Sequence, residues 1–180
     1  MHYKQDVFMA QYPIAKRFVY HTLIFRAINK RYKERGIKSE FWTLTIDAHL
    51  LQAAIQWCMV FGSDGSNPIH WKNLSAAESG ELLDDFRKNL PDETGLSLVQ
   101  WRLYWDEMLE FRNKYAAHRE LDYRKPVPSF DTAMDIVFYY DRWIRKVISP
   151  DTFEEPPLVD TARDLKARFE VLSRQLLEIQ

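Results

Sequence analysis

Residues 111–120 read FRNKYAAHRE, and three of these side chains can do chemistry. Arg112 is a permanent cation whose planar fork of N–H donors suits a carboxylate or a phosphate. Asn113 beside it supplies a donor and an acceptor. His118 brings an imidazole, the side chain whose ordinary titration falls near neutral pH. The stretch closes a longer run with helical periodicity. At about 100° per residue, Leu98, Trp101, Trp105, Met108 with Leu109, Arg112 and Tyr115 share a face. Arg112 therefore falls on the stripe that the helix must bury. A buried guanidinium cannot shed its charge and must find acceptors or an anion. If Arg112 is merely structural, it pairs with an acid from a neighbouring helix, Asp47 being one candidate. His118 lies about 9 Å further along the axis and roughly 120° around it. In a straight helix these two side chains do not meet. Either the helix is distorted at YAAH, or a two-fold copy brings its own pair to a shared cleft.

The elements that must position this stretch are helical. The chain has 180 residues, 46% apolar and 28% charged, a globular composition for a single domain spanning 1–180. Glycines are few and strand-like alternation is scarce, which predicts an all-α fold. A first helix follows Pro13 and stops at Gly36, and Ser39 opens a second that ends at Gly62. The second is apolar over much of its circumference, which predicts a central position. GSDGSNPIHWKNL reads as a loop. Ser75 with Glu78 matches a capping box opening a short acidic helix that ends before Pro91. The helix bearing Arg112 begins between Thr94 and Ser97. A proline-bearing break at DYRKPVPS precedes a fifth helix capped by Ser129 or Asp131. A core of about 13–148 is then followed by a C-terminal helix over about 158–179. That last helix repeats Leu158, Leu165, Phe169, Leu172 and Leu176 on one face, suited to the domain or to another chain.

Net charge is −1, so no overall field recruits a polyanion. Charge is uneven, however: NKRYKERGIK is dense in cations, and ESGELLDDF carries four acids and no cation. A polyanion must therefore bind at a local patch. Cys58, the single cysteine, sits in an apolar run and reads as a small buried hydrophobe in a reducing cytoplasm. No apolar run is expected to reach the roughly 20 residues that span a bilayer, and the N-terminus lacks a secretory pattern. A soluble, cytoplasmic protein without membrane partners is the expectation.

The pattern Arg112-Asn113-Lys114-Tyr115-Ala116-Ala117-His118 resembles the R-x4–6-H motif of the HEPN superfamily. With FWTLTIDAHLLQAAIQWCMVFGSDGSNPIHWKNL upstream, it looks like the branch associated with abortive infection in bacteria, over residues 41–143. The resemblance implies a HEPN-like helical bundle, with the C-terminal helix an addition to it. It also implies a homodimer with the motifs facing across the interface, and RNA cleavage without metal or cofactor. Arg112, Asn113 and His118 would then be catalytic. His118 would act as base on a ribose 2′-hydroxyl or as acid toward the 5′-oxygen. Arg112 would stabilise the phosphorane, and Asn113 would orient it or bind phosphate. Lys114, Tyr115, Arg119, Arg124 and His70 are candidate substrate contacts. The resemblance further implies a phage-defence protein or a toxin, the latter with an antitoxin partner. In relatives controlled by adenylylation a tyrosine stands two residues after the histidine; here that residue is Glu120, so such control is not expected. A non-catalytic RNA- or protein-binding module and a dimeric adaptor are the alternatives. His21, His49 and Asp47 show no metal-ligand spacing, and the tryptophans and tyrosines read as core.

Overall fold

The computed structural model describes residues 3–75, 80–118, 120–151 and 153–178, without the side chains of 177 and 178. Within them the fold is all-α. Six helices run in order: α1 (Gln5–Arg35), α2 (Glu40–Phe61), α3 (Glu81–Thr94), α4 (Leu98–Phe111), α5 (Phe130–Ile148) and α6 (Leu158–Glu178). A 3-10 turn, Trp71–Leu74, precedes α3, and a π turn, Arg112–Ala117, extends α4. Arg119 lies outside the described residues, as does Glu78 of the expected capping box.

Two prolines fall inside helices that were expected to respect them. α1 begins before Pro13, and α3 starts at Glu81, carries Pro91 within it and ends at Gly95. A proline removes the amide that would reach back four residues. For Pro13 the carbonyl concerned is that of Met9, and both residues are exposed, so the lost donor costs little where solvent has access. The extra turns of α1 matter. They bury Phe8, Gln11 and Tyr12, and Gln11 becomes a joint of the core.

The most enclosed helix is α5, not α2. Ile136, Val137, Tyr140 and Ile144 are sealed from solvent, and Trp143 and Tyr139 pack on Phe86 of α3. By length and composition α2 is apolar enough to cross a membrane. In the fold, one side of α2 buries Trp57, Val60 and Phe61. Its other side carries an open stripe at helical spacing: Phe41, Leu44 and Ala48 exposed, Ile55 half-buried, and Met59 exposed. An apolar face that finds no partner among the described residues is what made the sequence read as central.

α6 docks on the domain through its first turn. Asp141, buried in α5, accepts from the amide of Leu158 (2.8 Å) and from Arg145 Nε (3.0 Å). Arg145 also donates to the carbonyl of Pro156 and lies over the Phe153 ring. Leu158 is sealed, whereas Leu172 and Leu176 are half open. The leucine stripe thus fades from core to surface along the helix, which packs chiefly against α1.

α2 ends at Gly62, whose amide donates to the carbonyl of Cys58 (2.9 Å). A Cβ built on Gly62 would stand 2.4 Å from that oxygen, closer than any real contact. Gly62→Ala is therefore expected to destabilise the fold by about 1–3 kcal/mol, as overpacking does. A urea titration giving an unchanged midpoint would refute this.

Candidate functional site

The loop after Gly62 is held rigidly from inside. Gln11 of α1 accepts from Tyr140 of α5 (2.6 Å) and donates to the carbonyl of His70 (2.8 Å). Asn67 closes the loop on itself: its amide donates to the Met59 carbonyl (2.8 Å), and its oxygen accepts from the amide of Ile69 (3.2 Å). Trp105 of α4 donates its indole N–H to the carbonyl of Phe61 (2.6 Å). The loop is thereby fixed to α1, α5 and α4 at once.

His70 is 1% exposed, although its sequence neighbours are polar. Its Nδ1 accepts from the amide of Lys72 (3.3 Å) and so caps the 3-10 turn. Burial pushes its pKa down to about 4, with the Lys72 cation adding to the shift. The carboxylate of Asp64 and the backbone of Gly62 and Phe61 oppose it. At neutral pH His70 is an uncharged structural cap. Its side chain helps line a cleft, but not the one that holds Arg112.

Along α4 the buried line is Tyr104, Met108 and Phe111, one position away from the stripe expected from periodicity. Leu98 is 52% exposed. Trp101, Trp105, Arg112 and Tyr115 flank the buried line and are half-buried. The reason is that α4 lies at an edge of the bundle, so only a narrow strip of it is covered. Arg112 need not be buried; it stands where the helix surface turns toward solvent.

The helix is distorted between Arg112 and His118, although no hydrogen bond among the described residues joins the two side chains. From Arg112 to Ala117 the helix widens into a π turn, closed by the amide of His118 donating to the carbonyl of Asn113 (3.0 Å). Such turns hold an extra residue and recur at functional sites. Tyr115 stacks on Phe111 at 5.2 Å and meets Tyr123 at 5.8 Å, while the turn packs against α2. Aromatic packing thus fixes the inner side of the turn and leaves Asn113 and His118 exposed on its outer side.

Arg112 lines an open cleft of 570 Å³ with Cys58, Met59 and the loop residues 63 and 65–69. Its Nη1 donates to Asn113 Oδ1 (2.6 Å). Among the described residues no carboxylate, Asp47 included, pairs with it. Burial pushes the Cys58 thiol up to about 12, and the Arg112 cation pulls the other way. The thiol stays protonated and inert, but the guanidinium field reaches the cleft wall. What the cleft offers is therefore a half-buried cation with donors left over, beside a loop rich in small and polar residues, an arrangement suited to an anion.

Other expected contacts divide. Lys114 is engaged by Glu110 (3.5 Å) and Glu120 (3.6 Å), which leaves its charge already answered. Lys125 pairs with Glu110 at 2.5 Å. Arg124 is exposed on the 121–129 loop, after the π turn. The cation-rich end of α1 lies beside the start of α2, where Tyr32 meets Thr43 (3.0 Å). Arg112 sits near the opposite end of α2, so that basic run does not belong to its cleft. One pairing was missed by sequence spacing: His21 of α1 and His49 of α2 meet Nδ1 to Nδ1 at 2.9 Å. Burial lowers the pKa of both. Only the antiparallel packing of α1 on α2 brings these two residues together.

Comparison of the chain with protein-family models, with curated proteins and with solved structures finds no significant match.

Proposed function

We propose that this protein is a metal-independent endoribonuclease of HEPN type, acting as a homodimer in phage defence or as the toxin of a toxin–antitoxin pair. The observation that carries the reading is Arg112. It is a half-buried cation that no described carboxylate neutralises, held beside a cleft with Asn113 bonded to it and His118 at the end of the same π turn. An unneutralised, partly desolvated guanidinium favours an anionic ligand, and its fork matches two oxygens of a phosphodiester.

The chemistry follows from the residue types. His118 takes the proton from a ribose 2′-hydroxyl, whose oxygen attacks the adjacent phosphorus. Arg112 stabilises the charge growing on the phosphorane oxygens, and Asn113 fixes the guanidinium plane. The P–O5′ bond breaks, the 5′-oxygen gains a proton from an imidazolium, and the products are a 2′,3′-cyclic phosphate and a 5′-hydroxyl. Two-fold pairing would supply that second imidazole from the partner. The exposed stripe of α2, from Phe41 through Leu44 and Ala48 to Met59, supports such pairing. It is apolar, and Met59 also lines the Arg112 cleft, so an interface there would place two clefts near one axis.

Purified protein is expected to cut single-stranded RNA in EDTA, leaving cyclic phosphate ends, and to spare DNA of the same sequence, which lacks the 2′-hydroxyl. Light scattering should return twice the chain mass. RNA left intact, or activity lost on chelation and restored by a divalent cation, would refute the mechanism. Binding without cutting would instead identify an RNA-binding module.

A further inference from the structure

The loop that walls the Arg112 cleft also walls a second one, of 380 Å³, lined in part by Asp64 and His70 of the same loop. Its remaining walls include the Trp101 and Trp105 indoles and three cations, Lys72, Arg87 and Arg102. None of these cations is committed to a buried partner. Arg102 pairs with Asp106 one turn along α4 (3.2 Å), and Arg87 stands 3.8 Å from Asp84. Lys72 holds Asp64, itself more than half exposed. Surface pairs of this kind contribute about 0–1 kcal/mol, so a phosphate can take over the donors.

The aromatic wall is rigid in advance of any ligand. The bond from Trp105 to the Phe61 carbonyl locks its ring, Arg102 lies 4.6 Å over its face, and Trp101 leans on the buried Trp57. Aromatic faces beside arginines are how single strands are held without reading sequence. The volume falls within the roughly 300–1,000 Å³ of small-molecule sites and suits one nucleotide. Trp105 and Arg112 lie on one helix, about 10 Å apart along its axis. A single strand crossing the loop can therefore enter both clefts.

We propose that this second cleft is a nucleotide subsite for single-stranded RNA, with a base against Trp101 and Trp105 and its phosphate on Arg87 and Arg102. The choice of ligand rests on the ribonuclease reading; the site itself rests on the indoles and cations. It would grip the strand beside the scissile phosphate, so affinity would come from here and chemistry from Arg112 and His118.

The test separates the two. In a His118→Ala background, where the strand stays whole, anisotropy is read on a labelled single-stranded RNA of about 12 nucleotides, within the ~4–16 nucleotide sites of such binders. Adding Arg87→Gln with Arg102→Gln is expected to weaken binding roughly tenfold, because two charge-assisted contacts go. The slope of log affinity against log salt should flatten by about 0.7, for the loss of one neutralised phosphate on a single strand. RNA should also quench tryptophan emission before these substitutions and much less after them. An unchanged affinity and slope, or no RNA binding before the substitutions, overturns the subsite. If the double variant with His118 intact still cuts RNA in EDTA at the wild-type rate and affinity, the subsite falls while the ribonuclease stands.

Discussion

Replacing His118 by alanine should slow RNA cleavage by about 10²–10⁴-fold, the range for losing a general acid–base group, and leave the fold intact. The second half of that expectation comes from the site. His118 is exposed, and the bond that closes the π turn uses its backbone amide, which alanine keeps. Arg112→Ala should cost about 10²–10³-fold, as for the loss of one oxyanion donor. Arg112→Lys should recover little of this, because a point charge replaces the planar fork. Single-turnover cleavage by each variant, with an unfolding midpoint measured alongside, separates lost chemistry from lost structure. Wild-type rates in both alanine variants would end the catalytic reading.

Below pH 6.5 the protein should lose stability steeply, and His70 should be the main cause. Its pKa, ordinarily near 6.5, falls to about 4 in the fold. Between these values the unfolded chain binds a proton that the folded chain refuses. Acidification in that window therefore favours unfolding, and the stabilisation is complete above the unfolded value. A shift of that size corresponds to about 3 kcal/mol, lost progressively from pH 6.5 to 4. His21 and His49 are shifted in the same direction and add to the slope. His70→Asn keeps a side-chain acceptor for the Lys72 amide and removes the titration. Denaturant curves at pH 7 and pH 4.5 should then differ less for the variant than for the wild type. Equal differences would show that His70 is not the sensor.

Some of this architecture is decided by local chemistry. Gly62 ends α2 by returning its amide to Cys58, a contact between residues a few positions apart, while Ser39 stands at the start of the helix without a side-chain cap bond. Ser97 caps α4 with Gln100 in a reciprocal pair, and Ser129 caps α5. Proline was a poorer guide. Pro13 and Pro91 both read as boundaries, yet each sits inside a helix, since the packing of Phe8 and Tyr12, or of Leu90, outweighs one missing amide bond.

The site divides along the same line. By itself the sequence determined an all-α chain and a set of reactive side chains, Arg112, Asn113 and His118, close together on one segment. Their types and spacing are local properties, and helical periodicity reports which elements carry them. Tertiary structure alone decided that α4 relaxes into a π turn at Arg112, that His70 is buried and neutral, and that His21 meets His49. Each outcome depends on contacts between distant segments: Tyr115 with Phe111 and α2, Gln11 with Tyr140 and the 62–70 loop, α1 with α2. Burial and backbone register are set by what packs from elsewhere in the chain, and no periodicity within a segment encodes them.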